Sequence, residues 1–164
     1  MNKISVLFFV LFSVIQSNAS PIQLHPDNPH YFLYKGKPVV LISSCEHYGA
    51  VLNLDFDYEK YLDTLQSGGL NYTRIFSGTY VEVPGSFDIE KNTLAPQEGR
   101  FLAPWARSDQ PGYARGGNKF DLEKWSDEYF SRLKDFLRKA DERGIIVEIT
   151  LFSSIYTDEN WNIS

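Results

Sequence analysis

Apolar and polar positions alternate along this chain with two different periods, which predicts strands and helices in turn. Residues 31–34 alternate between tyrosine at their two ends and more apolar side chains between them, and they lead into a turn at Lys35-Gly36-Lys37. An unbroken apolar run follows at residues 39–42. This pattern predicts a hairpin whose second strand is buried on both faces, as strands of parallel sheets are.

Two later segments place apolar residues three and four positions apart, as one face of a helix requires. The first follows Asp57, a good N-cap, and stops at Gly68. The second follows Ser126 and stops at Gly144. Capping residues before the apolar stripe and glycine after it are typical helix boundaries, so both segments are predicted to be amphipathic helices.

Each predicted helix runs closely into a predicted strand, at residues 70–76 and 145–152. Strands that alternate with helices predict a parallel sheet. Residues 77–120 are rich in glycine and proline and keep no period, and residues 153–164 are likewise predicted to be loop. The long loops all follow strand ends, where the binding sites of parallel α/β folds are built.

The first residues predict an export signal. Residues 1–19 contain Lys3, an apolar run from Ile4 to Ile15 and a small-residue cleavage site ending at Ala19. The run is too short for a permanent membrane span, which needs about 20 apolar residues. We therefore expect a secreted or periplasmic protein without stable membrane insertion, in which residues 20–164 belong to the mature protein.

Composition narrows the classes of ligand. The formal net charge of −5 disfavours binding to nucleic acid, because phosphate backbones repel an acidic surface. Cys45 is the single cysteine, so no internal disulfide can form. His25 and His30 flank prolines in an irregular segment and are interpreted as structural. No nucleotide, flavin or metal motif is present in the sequence, so we expect no cofactor and no metal.

Three stretches carry a family resemblance. "GKPVVLISS" resembles the first barrel strand of the clan A glycoside hydrolases, the (β/α)8 group that includes the family 5 cellulases. "GGLNYTRIF" is similar to their second strand, and residues 120–152 to their second helix and third strand. "EHYGAVLN" at residues 46–53 is similar to divergent cellulase-like proteins. The resemblance implies an α/β fold, the N-terminal part of a (β/α)8 TIM barrel with about three strands, preceded by a short β-hairpin strand.

The same resemblance implies a retaining glycosidase whose two catalytic glutamates end the fourth and seventh strands. This chain stops after its third strand, so no catalytic residue is assigned to it. A barrel of this type takes about 250 residues, which makes the chain the expected opening part of a larger protein. Phe152 stands where relatives often have a histidine, so that contact is not transferred.

The predicted substrate-binding residues come from four places. Glu46, His47 and Tyr48 follow the first strand and offer hydrogen bonds to sugar hydroxyls, although a capped turn would use the same residues. The resemblance implies that Arg74 points into the pocket; the alternative is a surface arginine paired with an acid. Trp105 and Trp161 are the expected stacking platforms for sugar rings.

The remaining candidates allow more than one interpretation. Glu148 is interpreted as the internal ion-pair partner of Arg74; the alternative pairs it with Glu46 for glycoside cleavage, which its mid-strand depth disfavours. The long loop carries aromatic residues interleaved with arginines that could suit an acidic sugar or fold back on the core: Tyr80, Phe87, Phe101, Trp105 and Tyr113, with Arg100, Arg107 and Arg115.

The functional hypothesis is a secreted glycoside hydrolase that cleaves O-glycosidic bonds of a poly- or oligosaccharide. Its partner is a carbohydrate substrate. Two alternatives remain open at this point. One is a non-catalytic glycan-binding protein that uses the loop aromatics, and the other is an inactive truncated barrel.

Overall fold

The computed structural model describes residues 21–43, 48–78 and 80–163. The predicted signal peptide at residues 1–19 lies outside the described residues. The chain divides into two compact units, residues 1–40 and 41–164. None of the helices within the described ranges is long and apolar enough to cross a bilayer.

The first unit contains a three-stranded antiparallel sheet. Its strands are β1 (Gln23–Leu24), β2 (Phe32–Tyr34) and β3 (Lys37–Val39), in that order across the sheet. Tyr34 pairs with Lys37, which leaves a two-residue turn at Lys35-Gly36, both with positive φ. Such a turn matches the twist of the strands it joins. The predicted hairpin is confirmed.

The predicted continuation of β3 as a buried strand through residue 42 is wrong. Val40 is 53% exposed and Ile42 is 50% exposed, and residues 40–43 form no strand. The Asn71 side-chain oxygen accepts a hydrogen bond from the Ile42 amide at 2.8 Å, and the Asn71 amide donates to the Ile42 carbonyl at 3.0 Å. The Asn71 side chain thus occupies the position that a backbone carbonyl would take in a β-ladder. The strand hydrogen bonds therefore do not continue to residue 42.

The second unit is built around the two predicted amphipathic helices, α2 (Tyr58–Ser67) and α3 (Asp127–Glu142). Asp57 caps α2 by accepting a hydrogen bond from the Lys60 amide at 3.0 Å. Ser126 caps α3 in the same way through the Tyr129 amide at 3.2 Å. Both caps satisfy amides that have no partner within the helix.

The predicted parallel strands are β4 (Tyr72–Phe76) and β7 (Ile146–Thr150). They pair in parallel, with Arg74 opposite Glu148. Ile75 on β4 is fully buried and packs in a core with Leu62 of α2 and Phe136 of α3. The parallel pair is confirmed; its membership of a (β/α)8 barrel stays a prediction.

A short helix, α1 (Gly49–Leu52), precedes α2 and is fully buried. The Arg132 guanidinium of α3 donates hydrogen bonds to the carbonyls that end this segment, those of Ala50, Val51, Asn53 and Phe56. Gly49 passes so close to residue 94 that a Cβ there would lie 2.3 Å from the Leu94 oxygen. Glycine is therefore required at this position.

Three further elements were predicted to be loop. Strands β5 (Trp105–Pro111) and β6 (Asn118–Trp125) form an antiparallel ribbon with two irregularities in register, and α4 (Asp158–Ile163) is a short helix. The ribbon escapes sequence analysis because its bulges break the alternation of apolar residues on which a strand prediction depends. Helix α4 is too short to establish a period.

Candidate functional site

A cleft of about 350 Å³ opens where β4 and β7 end. We call it the polar cleft, because charged and hydroxyl groups line it together with aromatic rings. Its walls come from both strand ends and from the two loops that follow them. The lining residues are Tyr48, Arg74, Phe76, Tyr80, Glu82, Phe87, Leu94, Thr150, Phe152, Ser153, Ser154 and Tyr156.

Arg74 reaches the polar cleft from the middle of β4 and is also bound to a carboxylate. Its Nε lies 2.8 Å from Oε1 of Glu148, and the other Glu148 oxygen accepts a hydrogen bond from the Tyr72 hydroxyl. The bond from Tyr72, followed by the pairing with Arg74, holds the pKa of Glu148 below its usual range. The predicted pairing of Glu148 with Arg74 is confirmed, but its side chains are 44% and 42% exposed, so the pair is not internal as predicted. The pair orients the guanidinium.

Tyr48 forms a wall of the cleft from within the core. It is 3% exposed, and its ring packs at 6.3 Å from Phe76 and edge-on at 5.4 Å from Tyr80. Burial raises the pKa of Tyr48, and the nearby Glu82 carboxylate raises it further. The group is therefore a neutral phenol at physiological pH, able to donate a proton in a hydrogen bond.

Glu82 is the carboxylate on the lining of the polar cleft, and sequence analysis missed it. One of its oxygens accepts a hydrogen bond from Nδ2 of Asn92. Asn92 is itself fixed, since its Oδ1 accepts from the amides of Leu94 at 3.0 Å and Ala95 at 3.2 Å. Glu82 lies in an irregular segment, so no period in the sequence indicates where its side chain is placed.

The two predicted stacking residues share a second cleft. Trp105 and Trp161 both line an apolar cavity of about 520 Å³, together with Phe101, Phe120 and Phe152. Trp161 is 70% exposed, whereas Trp105 is half-buried and stacks on Trp125 at 6.4 Å. Phe152 and Ser153 also line the polar cleft, so the two cavities adjoin.

The arginines of the long loop serve the fold. Arg107 donates to the carbonyls of Asn118 at 2.7 Å and Phe101 at 3.2 Å, and it lies over the ring of Phe120. Arg115 donates to the Pro96 carbonyl. Arg100 pairs with Asp55 at 2.8 Å. Each of these guanidinium groups is therefore engaged by atoms of the protein itself.

Two predicted site residues, Glu46 and His47, lie outside the described residues. The alternative that pairs Glu46 with Glu148 for glycoside cleavage therefore stays a prediction. Within the described ranges, no group of three histidine, cysteine, aspartate or glutamate side chains is arranged to hold a metal ion.

Comparison with known proteins adds one likeness in fold. No family model matches the chain, and no curated protein matches it. It is similar to a crystal structure described as that of a "putative glycoside hydrolase" from Bacteroides vulgatus ATCC 8482, with 14% identity and a TM-score of 0.57. The match covers 83% of this chain and 24% of that one, so the chain spans about a quarter of its neighbour. At this identity the likeness concerns the fold alone.

Proposed function

We propose that this chain forms the substrate-side opening part of a secreted glycoside hydrolase with a (β/α)8 barrel, similar to clan A. The single observation that supports this best is the polar cleft at the carboxyl ends of the parallel β4–β7 pair. Active sites of such folds lie at that end of the strands. The similar fold of the Bacteroides vulgatus neighbour agrees with the proposal.

The chemistry of the cleft suits a carbohydrate. Glu82 can accept hydrogen bonds from hydroxyl groups, and the rings of Phe87 and Tyr156 offer flat apolar faces. Sugars present hydroxyls around the ring edge and C–H groups on its faces, so both kinds of group are required. Arg74, oriented by Glu148, can hold a further carboxylate ionised beside the substrate.

Glycoside hydrolysis uses two carboxyl groups, about 5 Å apart in retaining enzymes and about 6.5–9.5 Å apart in inverting enzymes. Among the residues that line the polar cleft, Glu82 is the carboxylate. In our proposal the catalytic acid and nucleophile come from residues outside this chain. A glycan-binding protein without hydrolysis is the second candidate, and the same observation favours it: among the described residues, this cleft offers one carboxylate where cleavage needs two.

Calorimetric titration beside a reducing-sugar assay separates the two candidates. The protein expressed from its complete reading frame is tested with cellotetraose, xylotetraose and mannotetraose. Binding with turnover supports the hydrolase, and binding without turnover supports the second candidate. If none of the three sugars binds or is cleaved, both are contradicted.

A matched pair of arginine variants tests whether the polar cleft is the site. Arg74→Ala removes the guanidinium at the cleft, and we expect it to weaken binding or turnover at least tenfold. Arg138→Ala is the control, because Arg138 forms ion pairs with Asp135 and Glu142 on the surface of α3 and lines neither the polar nor the apolar cleft. Equal effects of the two variants would place the site elsewhere.

A further inference from the structure

A second cavity shares three aromatic rings with the polar cleft. We call this cavity of about 440 Å³ the outer cleft. Tyr80, Phe87 and Tyr156 line both cavities. The outer wall is formed by Val83, Ser86, Thr157, Glu159 and Asn160. A ligand that leaves the polar cleft on this side must therefore pass the rings.

Phe87 is held in a conformation that a bulky residue rarely adopts. Its φ of 56° and ψ of 28° are left-handed, and Asp88 follows with φ of 59°. The Phe87 side chain is 72% exposed and belongs to neither buried hydrophobic cluster of the described residues. Burial of the ring therefore does not offset the strained backbone. Strain of this kind is concentrated at functional sites, where the surrounding structure maintains it.

Tyr156 also lines both cavities, and contacts with its neighbours fix its position. It is 71% exposed, and its ring lies edge-on to the buried Tyr80 at 6.4 Å. The next residue, Thr157, donates to the side-chain oxygen of Asn160 at 2.8 Å, and Asn160 donates in turn to the Val81 carbonyl at 3.2 Å. These bonds attach the start of α4 to the segment that carries Tyr80. The exposed ring of Tyr156 is thus held in place by buried neighbours.

The charges along both cavities disfavour an anionic ligand. The outer cleft carries Glu159 and the polar cleft carries Glu82. The cation that lines the polar cleft, Arg74, is paired with Glu148. Carboxylates accept hydrogen bonds from hydroxyl groups but repel carboxylated or sulfated sugars. Exposed rings beside carboxylates therefore fit a neutral sugar chain.

We propose that the outer cleft is a second sugar subsite, and that a neutral oligosaccharide extends into it from the polar cleft across Phe87 and Tyr156. This inference rests on the proposed function, since it concerns the same ligand. It adds the substrate class, a neutral chain long enough to occupy both cavities. It also names Phe87 and Tyr156 as the residues whose contribution to affinity depends on the length of the sugar chain.

Two glycine variants in the same turn test the role of the Phe87 ring. Phe87→Gly removes the ring and relieves a left-handed backbone, whereas Asp88→Gly relieves the next left-handed residue and keeps the ring. With the protein from its complete reading frame, affinities are measured for the di-, tetra- and hexasaccharides of the glucan, xylan or mannan series that the unaltered protein binds. We expect Phe87→Gly to weaken hexasaccharide binding about tenfold, the order expected for one aromatic contact. Disaccharide binding should change less than twofold.

Stability and a second ring variant complete the test. Asp88→Gly should bind every sugar as the unaltered protein does, and neither glycine variant should unfold at a lower temperature than the unaltered protein. Tyr156→Ala should reproduce the length-dependent loss of affinity. Trigalacturonate, an acidic sugar, should bind at least tenfold more weakly than a neutral sugar of the same length.

Each opposite result overturns a distinct statement. Unchanged hexasaccharide affinity in Phe87→Gly, or an equal loss for short and long sugars, removes the outer subsite while the proposed function stands. A comparable loss in Asp88→Gly would attribute the effect to the backbone and also remove it. Tighter binding of trigalacturonate would overturn the neutral substrate class. Failure of the unaltered protein to bind any sugar overturns the proposed function and this inference together.

Discussion

The two faces of the β4–β7 pair come from alternate residues of the same two strands, yet they are covered differently. On one face, Thr73 and Ile75 are fully buried against the helices. On the other, Arg74 and Glu148 form an ion pair with side chains 42% and 44% exposed. Apolar burial therefore holds the pair on the helix side, while the open side keeps groups available for a ligand. The residues that stabilise the pair by burial and the residues that can contact a ligand therefore lie on opposite faces of this two-stranded sheet.

The largest effect should come from the helix-covered face. Ile75→Ala deletes a fully buried side chain from the core between α2 and α3. We expect the free energy of unfolding to fall by about 2–5 kcal/mol, the cost of lost burial plus the cavity. Urea denaturation measures it, with the half-exposed Val40→Ala as the control. A loss no larger than the control's would mean that the faces do not differ in this way.

The next largest effect on stability should come from high pH, through buried and half-buried tyrosines. Burial raises the pKa of Tyr113 and of Tyr129 to about 12, whereas an unfolded tyrosine ionises near 10. A raised pKa contributes stability that is fully present below about pH 10 and is lost as the pH rises towards 12. We expect the unfolding temperature to fall steeply between those values, and Tyr129→Phe to make the fall shallower. An unchanged slope in that variant would contradict the assignment.

A buried hydrogen bond on the same face should have an intermediate effect. The Tyr61 hydroxyl lies 2.5 Å from Oγ1 of Thr73, and Thr73→Val removes this hydrogen bond. Because this removes one hydrogen bond from the partly buried Tyr61 hydroxyl, we expect a loss of about 1 kcal/mol in the free energy of unfolding. The double variant Thr73→Val with Tyr61→Phe should recover part of that loss. Additive losses would show that the two hydroxyls are not coupled.

The open face should contribute least to stability. Glu148→Gln breaks an exposed ion pair, so we expect a change below about 1 kcal/mol at neutral pH. Because the pKa of Glu148 is lowered, its contribution is present above about pH 4.3 and is lost as the pH falls through the folded-state value. The variant should therefore flatten the acid side of the stability profile, measured by thermal unfolding. A loss as large as that of Ile75→Ala would remove the contrast between the faces.

Sequence analysis predicted the periodic part of this fold. The caps at Asp57 and Ser126 and the pairing of Arg74 with Glu148 follow from local rules of spacing and charge, which operate within a few residues or between adjacent strands. Arg132, in contrast, follows Glu128 by four residues, a spacing that favours an ion pair within α3, yet it donates to the carbonyls around α1. Nothing in the local sequence indicates that α1 lies within its reach.

The site was predicted in part. Arg74 lies on β4, and the resemblance of this strand to a barrel strand implied that its side chain reaches the pocket. Glu82 and Tyr156 lie in irregular segments whose positions depend on distant contacts, such as the bond from Asn160 to the Val81 carbonyl. Such contacts are set by tertiary packing, which local propensity does not encode.

The hydrogen bonds from Arg132 to the carbonyls around α1 join parts of the chain that are synthesised at different times. The carbonyls that Arg132 binds precede it by 76 to 82 residues. At roughly 5–20 residues per second, the segment around α1 emerges from the ribosome about 4–16 s before its partner exists. Its final hydrogen bonds must therefore wait for α3. The segment that carries Tyr48 into the polar cleft is among the first parts made and among the last completed.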